Sequence, residues 1–375
     1  MEPSYDPALT YEQNYADGPF GAFADSVVPA QAPRATTGEG DGASFAGVPV
    51  RSAFGIPAGP LLNSRYVAAA FAHGFDVCVY KTVRTRAHPC NPFPNVLAVH
   101  VYGDLTPERA RRPLLADDRF EEPISISNSF GVPSRDPDVW QPDMAAAVAA
   151  AGTGGTAQVL VGSFQGTRGG GDAAFEADHV FAARLVAETG ARVLEVNLSC
   201  PNEGVAALLC FDTARVQRIL GAIKDEIGDL PLVVKLARFP DDAGLREFVT
   251  ATAPFVAGYA AINTIPATLI DATGAPALPG REVSGVCGAA IRWAGLEMTR
   301  RLAALRSRLE LSYEIVGVGG VTAVSDVLAY REAGADAVMS ATGAMWNPHL
   351  AADLRAAPGR PARAHRAGVE TPPAR

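Results

Sequence analysis

Along most of this 375-residue chain, short β-rich runs alternate with segments of helical length, and this alternation constrains the fold more than any other feature. Eight apolar runs have the length of buried strands, at residues 77–80, 124–126, 158–161, 193–196, 232–234, 259–262, 315–318 and 337–339. Helical length and periodicity mark segments between them, including 178–189, 213–227, 296–308 and 325–333. Repeated βα units predict a closed (β/α)8 barrel of the TIM type, with an open doubly wound sheet as the alternative.

Both ends of the chain differ in composition from the barrel predicted at residues 46–352. Residues 1–45 carry seven acidic residues against Arg34, together with the aromatic residues Tyr5, Tyr11, Tyr15, Phe20 and Phe23. Such aromatic side chains predict that this N-terminal extension docks partly onto the barrel. Residues 353–375 are rich in Ala, Pro and Arg and lack an apolar period, which predicts a mobile tail.

Charge and cysteine usage favour a small molecule as the partner. The formal net charge of -8 argues against nucleic acid or an anionic membrane surface. The longest uncharged stretch, residues 144–167, contains several glycines and is typical of a helix, a loop and a strand rather than a membrane span. The five cysteines form no CxxC pair, so we expect no metal site. Without a signal-peptide pattern, the chain is predicted to be cytoplasmic.

Polar side chains follow the predicted strands, at the ends where barrel proteins build their active sites. These positions are Lys81-Thr82, Asn128-Ser129, Ser163, Asn197 with Cys200, Lys235, Asn263-Thr264, Gly319-Gly320 and Ser340-Ala341-Thr342. Any one of them could be a surface residue whose polar group is hydrogen-bonded and has no functional role. Their recurrence at the same end of several strands predicts a shared functional site.

The hexapeptide at residues 197–202 places a thiol, Cys200, between the carboxamides of Asn197 and Asn202. A cysteine exchanges its proton near neutral pH, since its reference pKa is about 8.5. Carboxamides offer both donors and an acceptor to a flat polar ligand. A lone cysteine is also commonly a small buried hydrophobe, so the residues alone leave both readings open.

Glycine-rich loops follow the last two predicted strands. Residues 317–321 and 340–343 would let backbone N–H groups approach an anion, and phosphate sites of barrel proteins lie at these two strands. Residues 55–60 are predicted to form a lead-in segment outside the eight strands, and residues 285–292 a further glycine-rich wall. No G-x-G-x-x-G motif opens a βαβ unit, which favours a mononucleotide over a nicotinamide cofactor.

Taken together, several motifs make residues 54–348 resemble the dihydroorotate dehydrogenase family. The motifs are Ala58-Gly59-Pro60, Lys81-Thr82-Val83, Asn91-Pro92-Phe93-Pro94, Asn128-Ser129-Phe130-Gly131, residues 197–202, Lys235, Asn263-Thr264 and residues 317–321. The resemblance implies an FMN-binding barrel that oxidises dihydroorotate to orotate in pyrimidine biosynthesis. It also implies a separate electron acceptor and a homodimer.

Carried onto matching positions, the resemblance implies residue roles. Cys200 would take the proton from C5 of dihydroorotate while the C6 hydride passes to flavin N5, and a cysteine here implies the soluble class. Lys81 would be a second catalytic residue near the flavin and the substrate carboxylate, and Lys235 would sit at the flavin N1–O2 edge. The substrate would contact Lys81, Asn128, Gly131, Asn197, Asn202, Asn263 and Thr264. FMN would contact Ala58, Gly59, Lys81, Thr82, Asn128, Asn197, Lys235, Asn263, Gly285, Gly319, Gly320, Ser340, Ala341 and Thr342.

Some positions depart from the family pattern and keep alternatives open. Residues 203–207, Trp293 and Ala341 differ from the common family residues, which is typical of a divergent branch. One alternative is an FMN-dependent enzyme that acts on another dihydropyrimidine or a related cyclic amide. A remoter alternative is a non-catalytic barrel that binds a phosphate ligand. Cys200 argues against it, since a protein that only binds a ligand needs no proton acceptor.

Overall fold

The fold is described by a computed structural model that covers residues 2–24, 43–152, 157–199 and 208–357. Its strands are β1 (Ser44–Phe45), β2 (Val48–Pro49), β3 (Phe54–Ile56), β4 (Val77–Val79), β5 (Ala98–Val99), β6 (Leu114–Asp117), β7 (Ser125–Asn128), β8 (Val159–Phe164), β9 (Val193–Asn197), β10 (Leu232–Leu236), β11 (Gly258–Ala261), β12 (Ile265–Ile270), β13 (Val283–Gly288), β14 (Glu314–Val318) and β15 (Ala337–Met339). Its helices are α1 (Tyr11–Asp17), α2 (Ser64–Ala72), α3 (Pro107–Ala110), α4 (Pro137–Gly152), α5 (Asp172–Ala187), α6 (Thr213–Ile227), α7 (Asp242–Thr252), α8 (Arg292–Arg308), α9 (Val324–Glu332), α10 (Thr342–Trp346) and α11 (Leu350–Ala356).

Eight parallel strands close into a barrel. Around the barrel their order is β3-β4-β8-β9-β10-β11-β14-β15, so each strand pairs with the next one in the repeated βα pattern. Helices α2, α4, α5, α6, α7, α8 and α9 lie in the crossovers between consecutive barrel strands. The predicted (β/α)8 barrel is therefore confirmed, and the doubly wound alternative is wrong because the sheet has no open edge.

Two strand assignments made from the sequence are wrong. Phe54–Ile56, expected to precede the barrel, is its first strand and pairs with β15 and β4. The run at 124–126, expected to be a barrel strand, belongs to β7, which pairs antiparallel with β5 and β13. The first strand is hard to recognise because Gly55 interrupts it, yet a Cβ there would lie 1.7 Å from the carbonyl oxygen of Val77. Only glycine allows that strand pairing.

A second, smaller sheet stands at the mouth of the barrel. Its five strands are β12, β13, β7, β5 and β6, which form a closed ring. Strands β5, β6 and β7 are inserted after β4, and β12 and β13 after β11. Because both insertions follow the carboxyl ends of barrel strands, the second sheet covers the end at which barrel sites are built.

The opposite, amino-terminal end of the barrel is filled with apolar side chains. Val77, Val159, Val193 and Val233 pack together inside the barrel, and Phe45 from the β1–β2 hairpin packs against them. Phe45 is only 1% exposed. Full burial of such a side chain contributes about 1.5 to 3 kcal/mol, so this end is a stabilising core.

The described part of the N-terminal segment, residues 2–24, is fastened to the barrel. The amide of Ser4 donates to the carbonyl of Met345 at 2.9 Å, and the hydroxyl of Tyr66 donates to the carbonyl of Asn14 at 2.9 Å. Asn14 is fully buried, and its side chain amide holds the turn that precedes α1. The segment therefore has a defined course over the barrel surface.

At the other end, α11 continues past residue 353, and the rest of the predicted tail, residues 358–375, lies outside the described residues. Within the described ranges, every helix is too short or too polar to cross a membrane.

Candidate active site

A cavity that opens to solvent lies at the carboxyl ends of the barrel strands. Side chains from the second sheet, among them Ile126 and Cys287, form its outer wall. Many of the residues singled out from the sequence line it: Ala58, Gly59, Lys81, Thr82, Asn128, Asn197, Lys235, Asn263, Thr264, Gly319, Gly320, Ala341 and Thr342. Residues that are far apart in sequence thus meet at one concave surface.

Three other predicted positions shape the walls rather than line the cavity. A Cβ on Gly131 would lie 2.9 Å from the Asn91 side chain, and one on Gly285 would lie 2.2 Å from the hydroxyl of Thr264. Ser340 is fully buried and donates from Oγ to the carbonyl of Val321 at 2.6 Å. The remaining two predicted residues, Cys200 and Asn202, lie outside the described residues.

The loops after β14 and β15 form a rigid, glycine-lined end of the cavity. Gly319 and Gly320 have φ values of 122° and 66°, which only glycine adopts without strain. A Cβ on Gly320 would lie 2.7 Å from the backbone nitrogen of Arg292, so the chain passes too closely for any side chain. The buried carboxylate of Asp326 accepts from the amide of Thr322 at 2.9 Å and fixes the loop where α9 begins.

Lys81 and Lys235 reach the cavity from strand ends, and each is less than a tenth exposed. Lys235 lies near Glu195, which is 1% exposed. Burial lowers the pKa of Lys235 and raises the pKa of Glu195, and the opposite charge of each partner counters the shift of the other. Ser163 also donates to Glu195 Oε1 at 3.1 Å and lies 3.0 Å from the hydroxyl of Thr82.

Glu195 was not singled out from the sequence, although a signal exists. It stands two residues before Asn197 on the same strand, and alternate residues of a strand share a face. An ionisable residue in that position must point into the barrel if Asn197 points into the site.

Amide side chains converge on the end of β9. The side chain amides of Asn197 and Gln165 lie 2.7 Å apart, and the Asn197 Oδ1 accepts from the Ser199 amide at 3.3 Å. Asn263 Nδ2 donates to the carbonyl of Ser199 at 3.1 Å, which ties the ends of two barrel strands together. The hydroxyl of Thr264 is buried and has no hydrogen-bond partner among the described residues. Buried hydroxyls are normally paired, so this one is suited to a ligand.

Two further cavity residues carry no clear sequence signal as site residues. Tyr5 from the N-terminal segment is 2% exposed, lines the cavity and packs edge-to-face on Phe130 with ring centroids 5.5 Å apart. Cys287 also lines the cavity and accepts a hydrogen bond from the hydroxyl of Thr342 at 3.5 Å. Burial raises the pKa of the Cys287 thiol to about 11, so this cysteine is neutral at physiological pH. Their positions in the site depend on long-range packing, so the residue types alone do not predict that they line the cavity.

The closed parallel barrel, with a cavity lined by polar strand ends, defines a (β/α)8-barrel protein with its site at the carboxyl face. Residues 120–354 match the sequence model of the family described as dihydroorotate dehydrogenase. A dihydroorotate dehydrogenase from Dictyostelium discoideum is 33% identical to this chain over 319 residues, which cover 82% of this chain and 85% of that protein. The chain belongs to the dihydroorotate dehydrogenase family, as its motifs predicted.

Other relatives match over shorter stretches. The catalytic subunit of dihydroorotate dehydrogenase B (NAD(+)) from Staphylococcus carnosus (strain TM300) is 27% identical over 180 residues, which cover 48% of this chain and 57% of that protein. The corresponding subunit from Oceanobacillus iheyensis is 30% identical over 175 residues, covering 46% of this chain and 55% of that protein. Members of the family are FMN-dependent oxidoreductases that oxidise dihydroorotate in pyrimidine biosynthesis.

Proposed function

We propose that this chain uses FMN to oxidise dihydroorotate to orotate, with Cys200 as the base. The observation that carries this proposal is the convergence of Lys81, Lys235, Asn197, Asn263 and Thr264 on one cavity that also contains the glycine-rich loops of the last two strands. A flat, partly anionic ring substrate requires cationic and amide groups of this kind. A phosphate-bearing cofactor requires the glycine-rich loops.

The cavity walls fit an FMN molecule. Gly59 has a φ of 138°, lines the cavity, and has no other atom within 4 Å of the position that a Cβ would take, which leaves room for a planar ring. In this proposal Ala58, Gly59, Thr82 and Lys235 contact the ring, with contributions from Lys81, Asn128, Asn197, Asn263 and Gly285. The phosphate group is held by Gly319, Gly320, Ser340, Ala341 and Thr342. When bound, FMN supplies the two-electron acceptor that oxidation requires.

The side chains of the protein bind the substrate and remove its proton. Asn128, Gly131, Asn197, Asn202, Asn263 and Thr264 form its hydrogen-bonding frame, and the free hydroxyl of Thr264 is available to it. Lys81 faces the substrate carboxylate. Cys200 takes the C5 proton. The residue before it, Ser199, is held by the hydrogen bond that Asn263 Nδ2 donates to its carbonyl. The ammonium of Lys235 would place a positive charge beside bound FMN, which would favour a cofactor that accepts electrons.

Anaerobic stopped-flow mixing of the purified, FMN-loaded protein with dihydroorotate tests this function. We expect the flavin absorbance near 450 nm, roughly the usual position for an oxidised flavin, to disappear in the first half-reaction. Subsequent mixing with fumarate, a quinone, oxygen or NAD identifies the separate electron acceptor. Absence of flavin binding, or bound flavin that dihydroorotate fails to reduce, contradicts the proposal. If a dihydropyrimidine that lacks the carboxylate reduces the flavin faster than dihydroorotate does, the substrate is that related compound.

We also propose a cytoplasmic location and a homodimeric assembly. Cys78, Cys90, Cys210 and Cys287 are free thiols in the described part of the chain, which fits a reducing compartment. The homodimer follows from the family resemblance. Sedimentation equilibrium of the FMN-loaded protein tests it directly, and a single species with the mass of one chain contradicts it.

A further inference from the structure

Glu195 is a buried carboxylate to which the proposed reaction gives no role. Val193, two residues earlier on β9, packs in the barrel interior, and alternate residues of a strand share a face. The side chain of Glu195 therefore also points into the barrel, where it is 1% exposed. An ionised carboxylate withdrawn from water in this way requires a compensating partner.

Strand register places Glu195 one layer beneath Lys235. Glu195 lies beside Ser163 of β8 and beside Val233 of β10, whereas Lys235 lies beside Asn197, one interior position nearer to the cavity. Ser163 donates to Glu195 Oε1 at 3.1 Å. Among the described residues that face Glu195, β10 therefore contributes the cation Lys235 and β8 contributes a neutral hydroxyl.

The surroundings of Lys235 oppose its charge, since its side chain is only 5% exposed. Burial favours the neutral form of a lysine and so lowers its pKa, and the negative charge of Glu195 is the interaction that opposes this shift. Without Glu195, the buried ammonium of Lys235 would lose the negative charge, one layer below it, that opposes the fall of its pKa.

We propose that Glu195 is a positioning residue that keeps Lys235 protonated and thereby sets the positive charge presented to bound FMN. This inference rests on the proposed FMN site. Ser163 takes part by holding one oxygen of Glu195, and the contact of Ser163 with Thr82 links this pair to the wall of the cavity. The result is an ammonium group of fixed charge at the cavity, whose positive charge is balanced by the Glu195 carboxylate one layer below.

The variant Glu195→Gln tests the proposal through the reduction potential of bound FMN. Two pH values are compared, one below and one above the pH at which Lys235 loses its proton in the variant, and the pH dependence of the potential locates this transition. Below it, Lys235 keeps its proton and has lost its counter-charge, so binding of reduced FMN should strengthen relative to oxidised FMN. Above it, Lys235 is neutral in the variant but still protonated in wild type, because Glu195 opposes the fall of its pKa, and the preference should reverse relative to wild type. We expect a change of about tenfold in this affinity ratio in each direction, which is about 30 mV for a two-electron couple.

Two control variants separate this effect from a general loss of structure. The double variant Glu195→Gln/Lys235→Gln has no lysine to titrate, so its shift relative to Lys235→Gln alone should keep one sign at both pH values. Glu314 is another partly buried glutamate, at the amino end of the barrel, where it accepts from the Ala46 amide at 2.8 Å. Glu314→Gln should leave the potential of the flavin unchanged at both pH values.

A shift of the same sign at both pH values in Glu195→Gln overturns the proposal, as does a reversal that persists in the double variant. If Glu195→Gln does not fold, Glu195→Met should give the same reversal. If neither folds, the double variant decides: recovery of folding on removal of both charges supports the pairing, and continued failure to fold overturns it. FMN binding by the wild-type protein is measured before any variant is made. Wild-type protein that binds no FMN contradicts the proposed function itself.

Discussion

The two ends of the barrel are built from the same eight strands and differ completely in chemistry. At the amino end, interior positions hold side chains such as Val77, Val193 and Val233, closed off by Phe45. At the carboxyl end, the last interior positions hold Lys235 and Asn197, and a cavity replaces the apolar plug. Strand alternation supplies an inward position at every second residue at both ends. The site therefore arises from which residues occupy the last inward positions, and the fold itself does not determine it.

The apolar end should govern stability alone. We expect Phe45→Ala to lower the free energy of unfolding by about 3 to 5 kcal/mol, because it leaves a cavity in a fully packed layer. Urea unfolding measures this loss, and the rate of flavin reduction per folded molecule should stay at the wild-type value. Phe93, which is 44% exposed, provides the control, since Phe93→Ala should change stability by no more than about 0.5 kcal/mol. A slower reaction in folded Phe45→Ala would show that packing at the amino end affects the chemistry at the carboxyl end.

The polar end should govern chemistry alone. Cys200→Ala should slow flavin reduction by dihydroorotate by about two orders of magnitude or more, the usual effect of removing a general base, while FMN stays bound. Stopped-flow absorbance measures the rate. Cys90, which is not among the cavity-lining residues, is the matched control, and Cys90→Ala should react at the wild-type rate. Equal rates for the two variants would remove Cys200 from its proposed role.

A smaller effect is expected at the glycine-rich loop. Gly320→Ala places a Cβ against the Arg292 backbone and should weaken FMN binding about tenfold, a cost within the usual range for backbone strain. Fluorescence titration of FMN measures the affinity. Gly274 also has a positive φ, 86°, but nothing lies within 4 Å of its Cβ position. Gly274→Ala should therefore strain the backbone without weakening FMN binding. Equal losses in the two variants would argue against a phosphate site at Gly320.

The last expected effect concerns the reactivity of two cysteines and leaves the stability and the chemistry of the protein unchanged. Burial raises the pKa of both Cys287 and Cys90 to about 11, so below that pH the thiolate fraction of each rises about tenfold per pH unit. Alkylation followed by mass spectrometry should show this increase at both positions between about pH 7 and about pH 9. Of these two cysteines, Cys287 is among the described residues that line the cavity and Cys90 is not, so FMN should slow alkylation of Cys287 and leave Cys90 unaffected. Protection of both cysteines would mean that FMN changes more than the cavity.

The sequence predicted the barrel well because apolar runs and helical segments are local patterns. It failed where two different sheets use the same kind of run: residues 124–126 have strand composition, and composition does not report which sheet a strand joins. The first barrel strand was missed for the opposite reason. Gly55 weakens its local signal, and only the approach of Val77 explains why a glycine is required there.

For the candidate site, residues that directly follow strands could be listed from the sequence because barrel topology places all of them at one end. Lys81, Lys235 and Asn263 were found in this way and line the cavity. Tyr5 was not, because its place depends on hydrogen bonds between segments hundreds of residues apart. Glu195 was overlooked because its importance comes from its pairing with Ser163 and its place one layer beneath Lys235, and both become visible only when neighbouring strands are aligned.

The hydrogen bond from the Ser4 amide to the Met345 carbonyl joins the two extremes of the described chain beside the cavity. Tyr5 and Met345 both line that cavity, so its wall is incomplete until the ribosome has made the last helices. A nascent chain lacking them holds the lysines and amides without an enclosing wall. A chain truncated before Met345 should therefore lack part of this wall and bind the cofactor more weakly than the full chain.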